Sequence, residues 1–222
     1  MASLISRWTF DNTYNDNEAN ANNLSAGGTG NAFSSTTFKV GSFSLDTDGN
    51  GYATRTATIN GVAGITGNQD RSFGGWFNMS SAGSVQALIK LGSDVANQGH
   101  LIIILSGTSI RVDLYTDALS FIVSSLSNNT WHWIWTEYTA ATKSSRLYVD
   151  NVESSSGSQA HAVNSNLTFG KINIGAGDAE GNIITNSYID DCRLYSGITS
   201  SADRTDIFNA WITSSGLQSK IW

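Results

Sequence analysis

The sequence contains no proline, and only one of its 222 residues is a cysteine. Without proline, every turn must be built from glycine, asparagine, aspartate or serine, and the 22 glycines fit that need. The single cysteine, Cys192, excludes an intrachain disulfide, although a chain of this size can bury enough surface without one. In its apolar context we expect Cys192 to be a small buried side chain rather than a nucleophile.

Charged residues are also scarce, at 14% of the chain, and the formal net charge is −6. An acidic chain lacks the basic footprint that nucleic-acid binding and docking on an anionic membrane require. No apolar run approaches the roughly 20 residues of a membrane span, so membrane insertion is not expected either. Carbohydrates, cations and partner proteins remain as ligands, and association into a homo-oligomer is left open.

The amino terminus carries no recognisable export signal. Residues 1–4 lead directly into a strand-like run, without the basic segment and apolar core of a signal peptide. We therefore expect synthesis in the cytoplasm without a signal peptide, with the surface of a virion or another particle as one final location.

Short runs of alternating apolar and polar residues dominate the chain and predict β-strands separated by turns. The turns include DGNG at 48–51, SGTS at 106–109 and DN at 150–151, each of which predicts a hairpin. One helix is predicted after Ser200, which can cap it, with Asp203 as the partner in a capping box. Its apolar face would comprise Ile207, Phe208, Trp211 and Ile212. No linker or internal repeat interrupts the pattern, so residues 1–222 are predicted to form a single domain.

Four segments carry a further signal because of their order along the chain: ISRWTFD at 5–11, SFGGWF at 72–77, WHWIWTEY with RLYVDN between 131 and 151, and YIDDCRLY at 188–195. Together they resemble the laminin-G-like jelly-roll family of the concanavalin-A-like superfamily. The resemblance implies an all-β, two-sheet antiparallel jelly-roll sandwich with one short C-terminal helix. The chain departs from the family pattern at Asn151, where glycine is usual, at Tyr188, and at the bulky Trp133 and Trp135.

This superfamily includes glucanases, so catalysis has to be weighed. A retaining glycosidase needs two carboxyl groups about 5–5.5 Å apart, which the related glucanases supply from a Glu-x-Asp-x-Glu strand. The glutamates of this chain belong to no such triplet: Glu18, Glu137, Glu153 and Glu180. The adjacent Asp190 and Asp191 are expected to point to opposite faces of one strand. No catalytic residue is predicted.

The resemblance also implies a calcium site between the loop after the first strand and the terminal strand. Asp11 and Asp16 would supply one side and Asp190 the other, because calcium prefers carboxylate and carbonyl oxygens. On the predicted strand, the side chain of Asp190 lies on the same face as those of Cys192 and Leu194. We therefore expect it to point inward, where a carboxylate needs a partner. The alternative is that Asp190 accepts hydrogen bonds from backbone amides of the N-terminal loop.

The segment WHWIWTEY places three tryptophans, Trp131, Trp133 and Trp135, on one face of a strand. An exposed row would stack on sugar rings, and we take Trp133 and Trp135 as candidate carbohydrate-binding residues. A buried row would instead fill the core between the two sheets, which is where tryptophan side chains usually lie.

These observations favour a non-catalytic, lectin-like module that recognises carbohydrate at a surface, with calcium assisting. An alternative is a structural or interaction protein of a larger particle, such as a decoration or fibre component of a phage virion. A glucanase or lyase is the third and least favoured hypothesis, because the paired carboxylates are missing.

Overall fold

The computed structural model describes residues 2–57, 59–61, 64–168, 170–177 and 181–210. These residues form sixteen strands and one helix: β1 Ser3–Trp8, β2 Ser25–Gly27, β3 Asn31–Ser34, β4 Ser44–Thr47, β5 Tyr52–Arg55, β6 Arg71–Asn78, β7 Gln86–Gly92, β8 Gly99–Ser106, β9 Ser109–Asp113, β10 Ala118–Ile122, β11 Trp131–Thr139, β12 Ser144–Val149, β13 Val152–Glu153, β14 Gln159–Ala160, β15 Ile172–Ile174, β16 Tyr188–Ser196 and α1 Ser201–Asn209.

The strands form two antiparallel sheets that pack face to face. The first sheet has the order β13-β12-β11-β6-β16-β4-β3, and β1 and β14 add to it by pairing with β16 and β12. The second sheet has the order β10-β9-β8-β7-β15-β5-β2. The predicted all-β jelly-roll sandwich with one short C-terminal helix is confirmed.

The main core lies between the sheets and follows from strand alternation. Phe73 and Phe77 of β6 and Ile134 of β11 point inward from the first sheet, where they belong to one buried cluster with Ile102 and Ile104 of β8. Cys192 lies in the same cluster and is fully buried, as expected. Each fully buried aliphatic or aromatic side chain contributes about 1.5–3 kcal/mol to folding, so this cluster supplies most of the driving force.

One end of the interior holds polar side chains instead. Arg71 is fully buried, donates from Nε to His100 Nδ1 at 2.9 Å and from Nη2 to Ser165 Oγ at 2.7 Å, and lies 4.4 Å over the ring of Tyr138. Burial lowers the pKa of Arg71 to about 9. Burial also lowers the pKa of His100 well below its ordinary value, so this imidazole is neutral and accepts from the guanidinium.

Two of the three predicted hairpins are confirmed. Strands β8 and β9 pair around residues 106–109, and β12 pairs with β13 around Asp150 and Asn151, whose φ angles are 51° and 64°. The hairpin predicted at 48–51 is wrong. This turn joins β4 of the first sheet to β5 of the second, so it carries the chain from one sheet to the other. Local turn chemistry specifies the reversal but not which sheet the next strand enters.

The helix begins as predicted, with the reciprocal capping box between Ser200 and Asp203. It packs on the outer face of the first sheet, through Ile207 and Phe208. Trp211 and Ile212, which were expected to extend its apolar face, lie outside the described residues, as does Glu180.

Candidate functional site

The outer face of the first sheet carries a second cluster of aromatic side chains. Because Ile134 of β11 points into the main core, Trp133 and Trp135 on either side of it must point outward. They pack with Trp76 of the adjacent strand β6 and Tyr148 of β12 on the same face. The tryptophan rings of Trp133 and Trp135 are stacked nearly parallel, with centroids 5.1 Å apart.

Helix α1 covers this aromatic cluster. Phe208 stacks on Trp76 with a centroid distance of 5.3 Å and meets Trp133 edge-on at 5.9 Å. Trp133 and Trp135 are consequently 0% exposed. The prediction that they form an exposed row for stacking on sugar is therefore wrong, because a helix lies over them. The alternative was only partly right, since they are buried on the outer face and not between the sheets.

A glycine on β6 makes room for one of these rings. Gly74 pairs with Trp135 across the sheet, and a Cβ atom built at Gly74 would lie only 2.8 Å from Trp135 Cα and from Cε3 of its ring. It would also collide with the carbonyl oxygen of Ile134. The second glycine of the SFGGWF segment, Gly75, is equally confined on the other face by Cys192.

The aromatic cluster ends at an ion pair. Glu137, two residues beyond Trp135 on the same face of β11, accepts from Arg204 Nη1 of α1 at 2.8 Å and from Thr199 Oγ1 at 2.6 Å. Its other oxygen accepts from the Tyr148 hydroxyl at 3.3 Å, and the Arg204 guanidinium lies 4.1 Å over the Tyr148 ring. Glu137 is only 3% exposed. Its carboxylate is thus fully engaged by the protein and its charge is compensated.

Beyond this ion pair the same face opens into a groove of about 560 Å³. Its floor is formed by β11, β12 and β14, and the segment before α1 forms one wall. Hydroxyl and charged side chains dominate the lining, which consists of Glu137, Thr139, Thr142, Ser144, Arg146, Ser158, Ala160 and Ile198. Sequence reasoning did not single out this groove. The available signal was the β11–β12 hairpin, whose register pairs Glu137 with Arg146.

Arg146 is the exposed charged group of the groove. Its side chain is 51% exposed, and its Nε lies 3.7 Å from Glu153 Oε1. A hydrogen bond with Tyr148 and then the charge of Glu153 raise the pKa of Arg146 above its ordinary value, so the guanidinium is charged at every physiological pH. Four hydroxyl side chains, which can both donate and accept, surround it on the groove surface.

A second, smaller hollow of about 340 Å³ lies at the other end of β12, near β10. It is lined by Val123, Ser124, Val149, Val152, Glu153, Ser154 and Ser155. Its described lining combines three valines with three serines and Glu153 and includes no cationic donor, so this smaller hollow is the weaker candidate.

The predicted calcium ligands bind backbone amides. Asp11 Oδ1 accepts from the amides of Ser42 and Phe43, at 2.6 and 3.0 Å. Asp16 accepts from the amide of Arg7 in β1 and from the amides of Glu18 and Asn22 in its own loop, at 2.9 to 3.0 Å. In the part of the chain that the structure describes, no three histidine, cysteine, aspartate or glutamate side chains are placed to hold a metal ion. The structure therefore does not bring Asp11, Asp16 and Asp190 together as one set of ligands, and calcium binding stays a prediction.

Asp190 accepts from the amides of Lys39 and Val40, at 2.7 and 2.8 Å. The alternative of a backbone-bonded aspartate was right in kind, although the amides come from the loop before β4 rather than from the N-terminal loop. A bulge between Asp190 and Arg193 interrupts the alternation of β16, so Asp190 lies beside the outward-facing Trp76 instead of pointing inward. Burial raises the pKa of Asp190 well above its ordinary value.

The neighbouring Asp191 has a different environment. It accepts from Arg7 Nε and from Arg193 Nη2, both at 2.6 Å. Burial alone would raise the pKa of Asp191, but the two guanidinium groups outweigh it and lower the pKa below its ordinary value. The expectation that Asp190 and Asp191 point to opposite faces fails because of the bulge, whose residue Asp191 has a φ of 41°.

No protein-family model and no curated protein matches the sequence. The structure, in contrast, is similar to solved structures. Domain 4 of AbnA, an extracellular GH43 arabinanase of Geobacillus stearothermophilus solved in complex with arabinotriose, aligns with a TM-score of 0.70 over 93% of this chain and 98% of that one, at 16% identity. The chain shares its β-sandwich fold.

Receptor-binding domains of botulinum neurotoxins are similar as well. The serotype G binding domain aligns with a TM-score of 0.68 and 12% identity, over 96% of this chain and 52% of that one. A type C neurotoxin structure, described with two ganglioside molecules in cell entry, aligns with a TM-score of 0.69 and 16% identity, over 94% of this chain and 51% of that one. The chain therefore spans about half the length of these neurotoxin domains. These likenesses establish the fold.

Within this β-sandwich fold, two further features of the described residues bear on function. The lining of the groove contains one carboxylate, Glu137, and it is held by three protein donors. No described helix is long and apolar enough to cross a membrane.

Proposed function

We propose that the chain is a non-catalytic, lectin-like module that binds carbohydrate in the groove beside α1. The observation that carries the proposal is the groove itself, an open, hydroxyl-lined depression with a charged arginine on its floor. Support comes from the fold, which is shared with a domain solved in complex with arabinotriose and with a neurotoxin described with gangliosides.

The chemistry of the groove suits a polar, hydroxyl-rich ligand. Sugar hydroxyls donate and accept hydrogen bonds, and the side chains of Thr139, Thr142, Ser144 and Ser158 do the same. Arg146 adds donors only. The volume of about 560 Å³ lies within the range of roughly 300–1,000 Å³ that is usual for small-molecule sites.

The absence of catalysis is part of the proposal. Glycoside hydrolysis in this type of site requires an acid and a second carboxylate on either side of the scissile bond. Among the described residues of the groove, Glu137 is the only acid, and its oxygens accept from Arg204, Thr199 and Tyr148. The described lining of the groove offers no second carboxylate to act together with Glu137.

Three finer parts of the hypothesis rest on the sequence alone. They are membership of the laminin-G-like branch, assistance by calcium, and a role on the surface of a phage particle. A virion protein that binds host carbohydrate would satisfy both the lectin hypothesis and the hypothesis of a particle component.

A glycan array tests the proposal when wild type is compared with two substitutions of exposed serines. Ser158→Trp places a large ring in the groove, whereas Ser124→Trp places the same ring in the second hollow. We expect wild type and Ser124→Trp to bind the same glycans and Ser158→Trp to lose them. Equal binding by all three proteins would move the site elsewhere, and silence of wild type across a broad array would contradict carbohydrate binding.

A further inference from the structure

We infer that the groove selects acidic saccharides, with Arg146 binding the carboxylate of a uronic-acid-type sugar. This inference rests on the proposed carbohydrate-binding function and names the class of sugar. It starts from the position of Arg146, which lies on β12 directly across from Glu137 and next to Ser144 and Thr139 on the groove floor. A ligand that fills the groove therefore lies within reach of this guanidinium.

The two glutamates near Arg146 differ in how strongly the protein already pairs them. Glu137 is buried and forms a close pair with Arg204 at 2.8 Å, so its negative charge is compensated within the protein. Glu153, which lines the second hollow, lies 3.7 Å from Arg146 Nε, and its side chain is 37% exposed. Exposed pairs at such a distance are weak and exchange readily with solvent or ligand. Arg146 is therefore the charged group of the groove that a ligand can engage.

The groove also lacks the usual alternative means of holding a sugar. None of its eight described lining residues is aromatic, so a ring cannot stack there. The aromatic side chains of this face are under α1, where Trp133 and Trp135 are fully buried. Without stacking, the strongest interaction that the groove offers is a charge-assisted hydrogen bond from a guanidinium. The planar fork of arginine matches a carboxylate in particular.

The net charge of the chain shows that recognition of an acidic sugar has to be local. With a net charge of −6, the protein has no general attraction for anions. A preference for an acidic sugar must therefore arise locally, and it should depend on Arg146 and not on other arginines. Arg55, on β5 of the second sheet, provides a comparison of the same residue type outside the groove.

The test uses matched glycans in which a free carboxylate is replaced by its neutral methyl ester, such as oligogalacturonides against their methyl esters and sialyllactose against its methyl ester. Titration calorimetry would compare wild type, Arg146→Gln, Arg146→Lys and Arg55→Gln, with thermal unfolding as the check on folding. For the acidic member of a bound pair, we expect affinity at least about tenfold higher in wild type and in Arg55→Gln. Arg146→Gln should abolish the preference, and Arg146→Lys should restore it in part.

The outcomes separate this inference from the function on which it rests. Equal affinity of wild type for both members of each pair, or array hits confined to neutral glycans, would overturn the acidic preference and leave carbohydrate binding intact. A preference that persists in Arg146→Gln would also overturn it. Absence of any glycan binding by folded wild type would overturn the proposed function itself.

Discussion

Arg204 of helix α1 donates from Nη1 to Glu137 Oε1 of strand β11 across 2.8 Å, and this ion pair fixes the helix on the outer face of the first sheet. The side chains of Arg204 and Glu137 are only 14% and 3% exposed. On one side of the pair lies the covered aromatic cluster, and on the other lies the groove. The pair thus separates a buried part of the sheet face from an accessible one.

The first prediction concerns this ion pair. Arg204→Met removes the cation and leaves the buried carboxylate of Glu137 with only hydroxyl donors, which should lower the free energy of unfolding by about 3 kcal/mol. Urea denaturation measures the change. The double variant Glu137→Gln/Arg204→Met should recover part of the loss, because no buried charge remains. A loss below about 0.5 kcal/mol in the single variant is the size expected for an exposed surface ion pair, and it would contradict the anchoring role of this pair.

The second prediction concerns Gly74. Gly74→Ala would push a methyl group against Trp135 and the backbone of Ile134, and packing there cannot relax without moving β11. We expect a loss of about 2 kcal/mol or more, seen as a lower thermal midpoint. Gly83→Ala is the matched control, since nothing lies within 4 Å of a Cβ at that position. Equal midpoints for the two variants would refute the described packing of Trp135.

The third prediction concerns acid stability. Burial, with the charge of Arg71 next, lowers the folded-state pKa of His100, so the unfolded chain takes up this proton first as the pH falls. Neutral His100 contributes fully to the stability of the folded chain above about pH 6.5. This contribution is lost as the pH falls through that value towards the folded-state pKa.

His100→Gln isolates this effect, because glutamine keeps an acceptor for Arg71 and does not titrate. Urea denaturation at several pH values should show the stability of His100→Gln relative to wild type rising by about 2 kcal/mol between neutral pH and about pH 5. A constant difference across that range would mean that His100 is not buried as a neutral imidazole.

The fourth prediction concerns calcium. Assistance by calcium in glycan binding is proposed from the sequence, but Asp11, Asp16 and Asp190 already accept backbone amides, so without a glycan millimolar calcium or a chelator should shift the thermal midpoint by less than about 1 °C. A larger stabilisation by calcium would show a site that the described residues do not reveal. Asp11→Asn would then tell whether that site involves the loop before β4.

Much of the fold could be predicted because alternation is a local property. The positions of β6, β8 and β11, the capping box at Ser200 and the turn at 150–151 all follow from residues within a few positions of one another. The hairpin predicted at 48–51 was wrong because pairing with distant strands, and not the turn itself, decides which sheet each flanking strand joins. Asp190 was placed on the wrong face because nothing in the local pattern marks a bulge.

The candidate site depended more strongly on distant parts of the chain. Trp133 and Trp135 were placed correctly on one face of β11, but their burial depends on Phe208, more than seventy residues later. The groove required the register of β11 against β12 and the path of the segment before α1. The pairing of Glu137 with Arg146 could have been read from the hairpin at 150–151, whereas the wall at Ile198 could not.

The central claim, that carbohydrate binds in the groove beside α1, is tested most directly by nuclear magnetic resonance. A glycan identified on the array would be titrated into ¹⁵N-labelled protein, and the backbone amide shifts would be followed. We predict the largest changes at Thr139, Ser144, Arg146 and Ala160, with the hollow at Val123 and Val152 unaffected. Shifts centred on that hollow or on the second sheet, with the groove unchanged, would contradict the account.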